Sequence, residues 1–209
     1  FQLAVADLEA KFPALTEDKK KEENVNKRGS YYYEISNLYV RNKQAEEGIA
    51  VFQKYLELLG DKADVSDRYL LGTKYLAAYQ QQDNTPEKKA EFFAKADEAF
   101  KAVIESGSEN RLPIVLAYQQ LARLNNTDSQ TPMDIVRDYY QKVIEESSAP
   151  EVEAKAKSAR FEACRYLFFY YVAIDTPSKA DATKYAEIAK GINPDDPFVQ
   201  AAFEHIATM

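Results

Sequence analysis

The sequence contains no tryptophan, one cysteine, six glycines and eight prolines among its 209 residues. Because Cys164 has no second cysteine to pair with, an internal disulfide framework is excluded. The small number of glycines and prolines favours long helices over many short strands joined by turns. The fifteen tyrosines and eleven phenylalanines suit helix faces that a neighbouring helix half covers, because a tyrosine ring is apolar and its hydroxyl is polar.

Basic residues are outnumbered by acidic ones, and the formal net charge is −7. This balance argues against a nucleic-acid partner, because phosphate binding needs a basic surface. The longest apolar run, residues 166–174, is far shorter than the roughly 18 residues of a membrane span. We therefore expect neither a nucleic-acid partner nor a transmembrane segment.

The first residue is Phe1 rather than methionine, so we expect an upstream segment to have been removed. Two compartments stay open on this basis. The protein is periplasmic or associated with the cell envelope if that segment was a secretion signal, and it is cytoplasmic otherwise.

Residues 31–60 carry the clearest pattern in the chain. Their apolar residues recur at the i, i+3, i+4, i+7 spacing of a helix, which predicts two amphipathic helices joined by a tight turn at residues 42–44. A hairpin of this kind cannot bury both of its apolar faces alone, so it needs similar hairpins on either side.

The anchor residues of this hairpin resemble the tetratricopeptide repeat (TPR), a 34-residue helix–turn–helix unit. Repeat positions 4, 7, 8, 11, 20, 24, 27 and 32 are occupied, without a gap, by Tyr32, Ile35, Ser36, Tyr39, Gly48, Phe52, Tyr55 and Gly60. Three further sets follow the same order: Leu71, Gly72, Tyr75, Ala96, Phe100, Val103 and Ser108; Tyr118, Leu121, Ala122, Asn125, Val136, Tyr140, Val143 and Ser148; Cys164, Leu167, Phe168, Tyr171, Ala182, Ala186, Ala189 and Pro194. In all four sets the step from position 20 to the helix stop is twelve residues (48 to 60, 96 to 108, 136 to 148, 182 to 194).

The later sets differ from the repeat by insertions between their two helices. Pro86 and Pro132 mark the starts of second helices, and the fourth first helix is expected to begin near Pro150. Phe168 stands where the repeat has a small residue, which leaves the register of the fourth repeat the least defined.

Two segments flank the repeats. A leading helix over residues 1–12 is expected to place Leu3, Ala6, Leu8 and Phe12 inward, and Pro13 ends it. Residues 16–28 are mostly charged and fit a solvated helix or mobile lead, with a charged docking segment as the alternative. Residues 198–207 predict a capping helix, with Phe198, Ala202, Phe203 and Ile206 inward. We thus expect residues 1–28 to lead into a repeat domain over residues 29–209. The resemblance implies an all-α, right-handed superhelical solenoid of about four hairpins.

No set of residues predicts catalysis. The only histidine, His205, lies near the carboxyl end without partners for a metal or a catalytic triad. Cys164 occupies an anchor position and is interpreted as a small core residue. Residues 125–129 imitate the alternation of a calcium loop but lack its glycine. We expect no catalytic residue, metal or cofactor; the rival is an enzyme whose site is built from the 34 acidic residues.

In TPR proteins the first helix of each repeat lines the concave face, and repeat positions 2, 5, 9, 12 and 13 project into it. Carried over by register, the resemblance implies a peptide groove formed by Tyr33, Asn37, Arg41, Tyr69, Thr73, Gln119, Arg123, Arg165 and Phe169. Three of these, Arg41, Arg123 and Arg165, would form a cationic track for acidic and apolar segments of a partner. The alternative is that these are ordinary helix-surface side chains, with the aromatic rings packed against neighbours. Tyr33 replaces a lysine that chaperone-tail-binding TPR domains require, which argues against that partner.

The sequence therefore predicts a non-enzymatic scaffold that binds a partner protein or peptide. The YLFFYYV helix and the GINPDDP close are similar to TPR proteins of bacterial cell envelopes. The alternative is a structural or oligomerisation module, whose concave face packs on its own chain or on a second copy.

Overall fold

The computed structural model describes residues 1–209 and is helical without strands. Eleven α-helices follow one another: α1 Gln2–Lys11, α2 Asp18–Arg41, α3 Ala45–Leu59, α4 Val65–Tyr79, α5 Pro86–Glu105, α6 Arg111–Asn125, α7 Met133–Glu146, α8 Pro150–Glu153, α9 Lys157–Ala173, α10 Lys179–Ile192 and α11 Pro197–Thr208. They form two compact units, the N-terminal unit Phe1–Ala102 and the C-terminal unit Val103–Met209. The four predicted hairpins are confirmed as α2–α3, α4–α5, α6–α7 and α9–α10.

The first hairpin turns at Asn42 and Lys43, as predicted, with Lys43 at a positive φ of 62°. Its two helices approach closely at Gly48, where a Cβ would lie 2.8 Å from Val40 Cγ2 and 3.0 Å from the Ser36 carbonyl oxygen. The Ser36 hydroxyl donates a hydrogen bond of 2.6 Å to the Gly48 carbonyl. Ser36 and Gly48, at repeat positions 8 and 20, are therefore in direct contact. This close approach requires a small residue at each of the two positions.

In the second hairpin, Gly72 of α4 lies against the ring of Phe100 in α5, and a Cβ on Gly72 would be 2.7 Å from Phe100 Cε1. Helix α4 begins at a capping box. The Asp64 carboxylate accepts from the backbone N–H of Asp67, and the Asp67 carboxylate accepts from that of Asp64. Helix α5 begins at Pro86 as predicted.

The core of the C-terminal unit shows why a large residue is tolerated in the fourth repeat. Phe168 is buried, and its ring meets that of Phe198 in α11 at 5.4 Å, edge to face. The facing helix α10 contributes the fully buried small residues Ala182, Ala186 and Ala189. Ala186 stands at repeat position 24, where the other three repeats have an aromatic residue.

The leading helix is present, but its inward face was predicted incompletely. Val5 is the buried residue of α1, whereas Leu3 is 89% exposed and Ala6 is exposed. Phe12 lies in a 3-10 turn with Pro13 rather than in the helix. The charged segment is helical, because α2 begins at Asp18, and the expected boundary between residues 28 and 29 falls inside α2.

The fourth first helix does not begin at Pro150. A short helix α8 is separated from α9 by a turn at residues 154–156, and both Val152 of α8 and Ala156 at the end of the turn are buried. The capping helix α11 is present, and Val199 joins Ala202 and Ile206 as its buried residues. None of the helices combines the length and the apolar character that crossing a membrane requires.

Candidate functional site

The predicted groove residues of the N-terminal unit lie on α2 and α4. The ring of Tyr33 packs on Tyr55 at 5.9 Å, and the ring of Tyr69 packs on Phe100 at 5.7 Å. Both tyrosines are half-buried, so they match in part the alternative in which the aromatic rings pack on neighbours. The hydroxyl of Thr73 donates to the Leu70 carbonyl of its own helix at 2.7 Å. Arg41 is exposed at the end of α2.

Asn37 is engaged by a lysine that the sequence analysis did not single out. Lys74 of α4 is only 5% exposed, and its Nζ donates to Asn37 Oδ1 of α2 at 2.9 Å. The same ammonium group lies 4.6 Å from the ring centroid of Phe52. Burial lowers the pKa of Lys74 to about 8. Asn37 thus joins two neighbouring first helices.

In the C-terminal unit, Glu162 of α9 accepts hydrogen bonds from polar side chains of two other helices, α6 and α7. Its Oε2 accepts from Gln119 Nε2 of α6 at 2.8 Å, and its Oε1 accepts from the Tyr140 hydroxyl of α7 at 2.9 Å. Arg123 of α6 binds both oxygens, through Nε at 2.7 Å to Oε1 and through Nη2 to Oε2. We call these four residues the Glu162 cluster.

The Glu162 cluster holds a carboxylate that is ionised despite partial burial. Burial alone would raise the pKa of Glu162, but the hydrogen bonds from Arg123, Tyr140 and Gln119 outweigh it, so the pKa is lowered. Burial and the Glu162 charge raise the pKa of Tyr140 above its usual range. The charge of Arg123 is therefore compensated within the unit by its ion pair with Glu162.

The remaining two predicted residues border a groove of about 400 Å³ beside the Glu162 cluster. Its lining residues are Tyr140, Ser158, Phe161, Glu162, Arg165, Tyr166 and Phe169. Phe169 is 55% exposed. The guanidinium carbon of Arg165 lies 5.6 Å from the ring centroid of Phe198. The groove therefore combines the positive charge of Arg165, the exposed ring of Phe169 and the aromatic side chains of Phe161 and Tyr166.

The sequence pattern did not predict the roles of Glu162 and Lys74. The register itself could have indicated Glu162, because it occupies repeat position 2 of the fourth repeat, where a side chain projects into the groove. Lys74 gave a weaker signal, since it stands between apolar residues in LLGTKYLAAY at a position that the repeat does not assign to the groove.

Neither Cys164 nor His205 lines the groove beside Arg165 and Phe169. Cys164 is fully buried, and burial raises its pKa to about 12, so its thiol stays protonated and unreactive at neutral pH. This confirms the interpretation of Cys164 as a core residue. His205 is exposed on α11, with its ring 6.3 Å from that of Phe168.

Comparison with known proteins identifies the fold. The crystal structure of the C-terminal part of a TPR repeat-containing protein from Cytophaga hutchinsonii matches this chain with a TM-score of 0.62 and 20% sequence identity. The match covers 95% of this chain and 72% of that one. No protein-family model and no curated protein sequence matches the chain. The predicted TPR-like fold is thus confirmed by a structural likeness at low sequence identity.

Proposed function

We propose that the chain is a non-enzymatic scaffold that binds a partner protein or peptide through the first helices of its repeats. The observation that carries this proposal is the side-chain bonding between neighbouring first helices. Lys74 of α4 bonds Asn37 of α2, and Arg123 of α6 binds Glu162 of α9. Such bonds make one continuous surface of two adjacent first helices in each unit.

Two side chains of this surface are suited to a partner. Arg165 and Phe169 are exposed on α9, and Arg and large aromatic residues contribute most to protein interfaces. Tyr33, Tyr69 and Thr73 add half-buried contact area on α2 and α4. Arg41 adds an exposed cation there. In this proposal Gln119, Arg123 and Asn37 hold the helices together rather than meeting the partner.

One observation favours the second candidate, association with another copy of the chain. A groove of about 370 Å³ between α1 and α2 is lined by Phe1, Gln2, Leu3, Ile35, Leu38, Tyr39 and Asn42. Leu3 and Leu38 are exposed there, and clustered exposed apolar side chains mark association surfaces.

Comparative affinity capture tests the first candidate. The wild-type chain, a Tyr33→Ala/Phe169→Ala double variant and a Lys54→Ala control, whose exposed lysine lies on the second helix α3, are used as bait. We expect the same protein to be retained by the wild type and the control and lost from the double variant. Equal retention by all three would contradict the proposal.

Light scattering of the wild type and of a Leu3→Asp/Leu38→Asp variant tests self-association. If the chain self-associates through the groove between α1 and α2, the wild type should be a dimer and the variant a monomer.

A further inference from the structure

The saturation of Glu162 leaves Arg165 without a carboxylate partner. A carboxylate offers about four acceptor positions, and Glu162 uses all four for Arg123, Gln119 and Tyr140. Arg165 follows Glu162 by three residues on α9, a spacing at which an ion pair would otherwise form. Its guanidinium instead lies over the ring of Phe198.

Phe169 lies one helical turn beyond Arg165 and completes a mixed surface. Its ring meets those of Phe168 at 5.5 Å and Phe198 at 5.8 Å, yet more than half of the residue stays exposed. Phe161 and Tyr166 form further walls of the same groove. An apolar side chain would be covered on one side by these rings, with a guanidinium about one helical turn away.

We propose that this groove is the subsite that recognises the partner. It binds an Asp or Glu side chain through Arg165 and packs a neighbouring Leu or aromatic side chain against Phe169 and Phe161. The proposal rests on the proposed function, since it names the partner's chemistry at the same surface. The partner is a polypeptide segment in which an acidic residue lies next to an apolar one. The guanidinium of arginine binds carboxylates bidentately. It is also more weakly hydrated than an ammonium group, so less free energy is lost when it is buried in an interface.

The surrounding charge favours this occupant over others. A nucleic acid would meet a chain of net charge −7 and a groove whose other charged residue is Glu162. A purely apolar segment would bury Arg165 without a partner, at a cost in free energy. An acidic side chain beside an apolar one satisfies both parts of the groove.

Selection from a displayed library of random twelve-residue peptides on the intact chain tests the proposal. We expect enriched peptides to carry Asp or Glu next to Leu, Phe, Tyr or Trp. The best peptide and its analogue with Asn or Gln in place of the acid are then titrated against the wild type and Arg165→Gln. For the acidic peptide, Arg165→Gln should weaken binding about tenfold or more, the range of a charge-assisted hydrogen bond. For the neutral analogue the change should stay below about twofold, because no such bond is lost.

Lys179→Gln is the matched control, since it removes one positive charge from an exposed position at the start of α10. It should bind the acidic peptide like the wild type, and Phe169→Ala should weaken both peptides alike. Circular dichroism and thermal unfolding verify that each variant is folded. Enriched peptides that bind Arg165→Gln and the wild type equally, or that respond only to Tyr33→Ala, would overturn this inference and leave the proposed function standing. Failure to enrich any peptide would count against both.

Discussion

Lys74 shows how one residue can hold two helices together at an energetic cost. Its ammonium group is buried with a single hydrogen bond to Asn37 and an aromatic ring below it. Removing an ammonium from water is unfavourable unless an opposite charge compensates it, and no ion pair is formed by Lys74. We therefore expect Lys74 to specify how α2 and α4 pack while lowering the stability of the fold.

Replacing Lys74 with methionine, which keeps the apolar stem, tests this expectation. Because the desolvated charge disappears, Lys74→Met should raise the free energy of unfolding at pH 7 by about 1–2 kcal/mol. Urea denaturation measures the difference. A variant less stable than the wild type would mean that the Asn37 hydrogen bond and the Phe52 contact outweigh the desolvation cost.

The pH dependence of the same pair gives an independent test. The folded pKa of Lys74, about 8, lies below the ordinary lysine value of 10.5, so the unfolded chain binds more protons between these two pH values. The Lys74 contribution to stability should therefore rise with pH above 8, by about 1–3 kcal/mol in full. Between pH 7.5 and 9.5 the wild type should gain stability relative to Lys74→Met. A constant difference over that range would contradict the assignment.

Glu162 is expected to stabilise the fold, whereas Lys74 is expected to destabilise it at neutral pH. Its lowered pKa contributes stability above the ordinary carboxyl pKa, and this contribution is lost as the pH falls through the lowered value. Glu162→Gln should cost about 1–3 kcal/mol at pH 7, because hydrogen bonds to a charged group are lost. The difference from the wild type should shrink below about pH 4. Glu187→Gln, an exposed glutamate of α10, should change stability by less than about 0.5 kcal/mol. A difference for Glu162→Gln that persists undiminished at pH 3 would contradict this account.

At the scale of the helix, close packing between hairpin partners limits substitution. Gly72→Ala would drive a methyl group into the buried Phe100 ring, and we expect a loss of about 1–3 kcal/mol from overpacking. Gly191→Ala is the matched control, since a methyl group on Gly191 of α10 would have no atom within 4 Å beyond its chain neighbours and the backbone of its own helix. That change should be neutral or stabilise the chain by up to about 1 kcal/mol through helix propensity. Equal effects of the two variants in thermal unfolding would contradict the packing account.

The hairpins could be predicted from the sequence because their anchors obey local rules. Small residues at Ser36 and Gly48, a proline at the start of α5 and the periodicity of the apolar residues all act within one hairpin. The break between α8 and α9 could not be predicted, because residues 151–157 favour a continuous helix and the burial of Val152 and Ala156 is a tertiary effect. Val5 stands three residues before Leu8 and seven before Phe12 and therefore shares their helix face, whereas Leu3 does not, so the helical period itself favours Val5 as the buried residue.

The candidate site was predicted by position but not by bonding. The register located Arg123 and Arg165 on first helices, where both lie. Arg123 and Arg165 are both within reach of the Glu162 carboxylate by their positions, and Arg123, which lies on another helix, is the one that binds it. Arg165 is therefore left without a carboxylate partner. Such competition between cations for one carboxylate is a three-dimensional property that periodicity does not contain.

At the scale of the whole molecule, the net charge of −7 repels an acidic partner at long range, before that partner comes into contact with Arg165. Long-range repulsion is screened within a Debye length of roughly 10 Å at 0.1 M salt. Raising the salt from about 10 to 150 mM should therefore increase the association rate of an acidic peptide. Surface-immobilised binding kinetics measures this rate. A rate that falls steadily with salt would show that the chain attracts the peptide from a distance, contrary to this account.

Site-specific photocrosslinking tests the central claim, partner binding through first helices, most directly. A photoreactive benzoylphenylalanine is placed in the intact chain either at Phe169 on first helix α9 or at Met133 on second helix α7, both of which are exposed. After irradiation in extract of the source cells, we predict a discrete crosslinked protein from position 169 and none from position 133. Crosslinks to the same protein from position 133, with none from position 169, would contradict the claim.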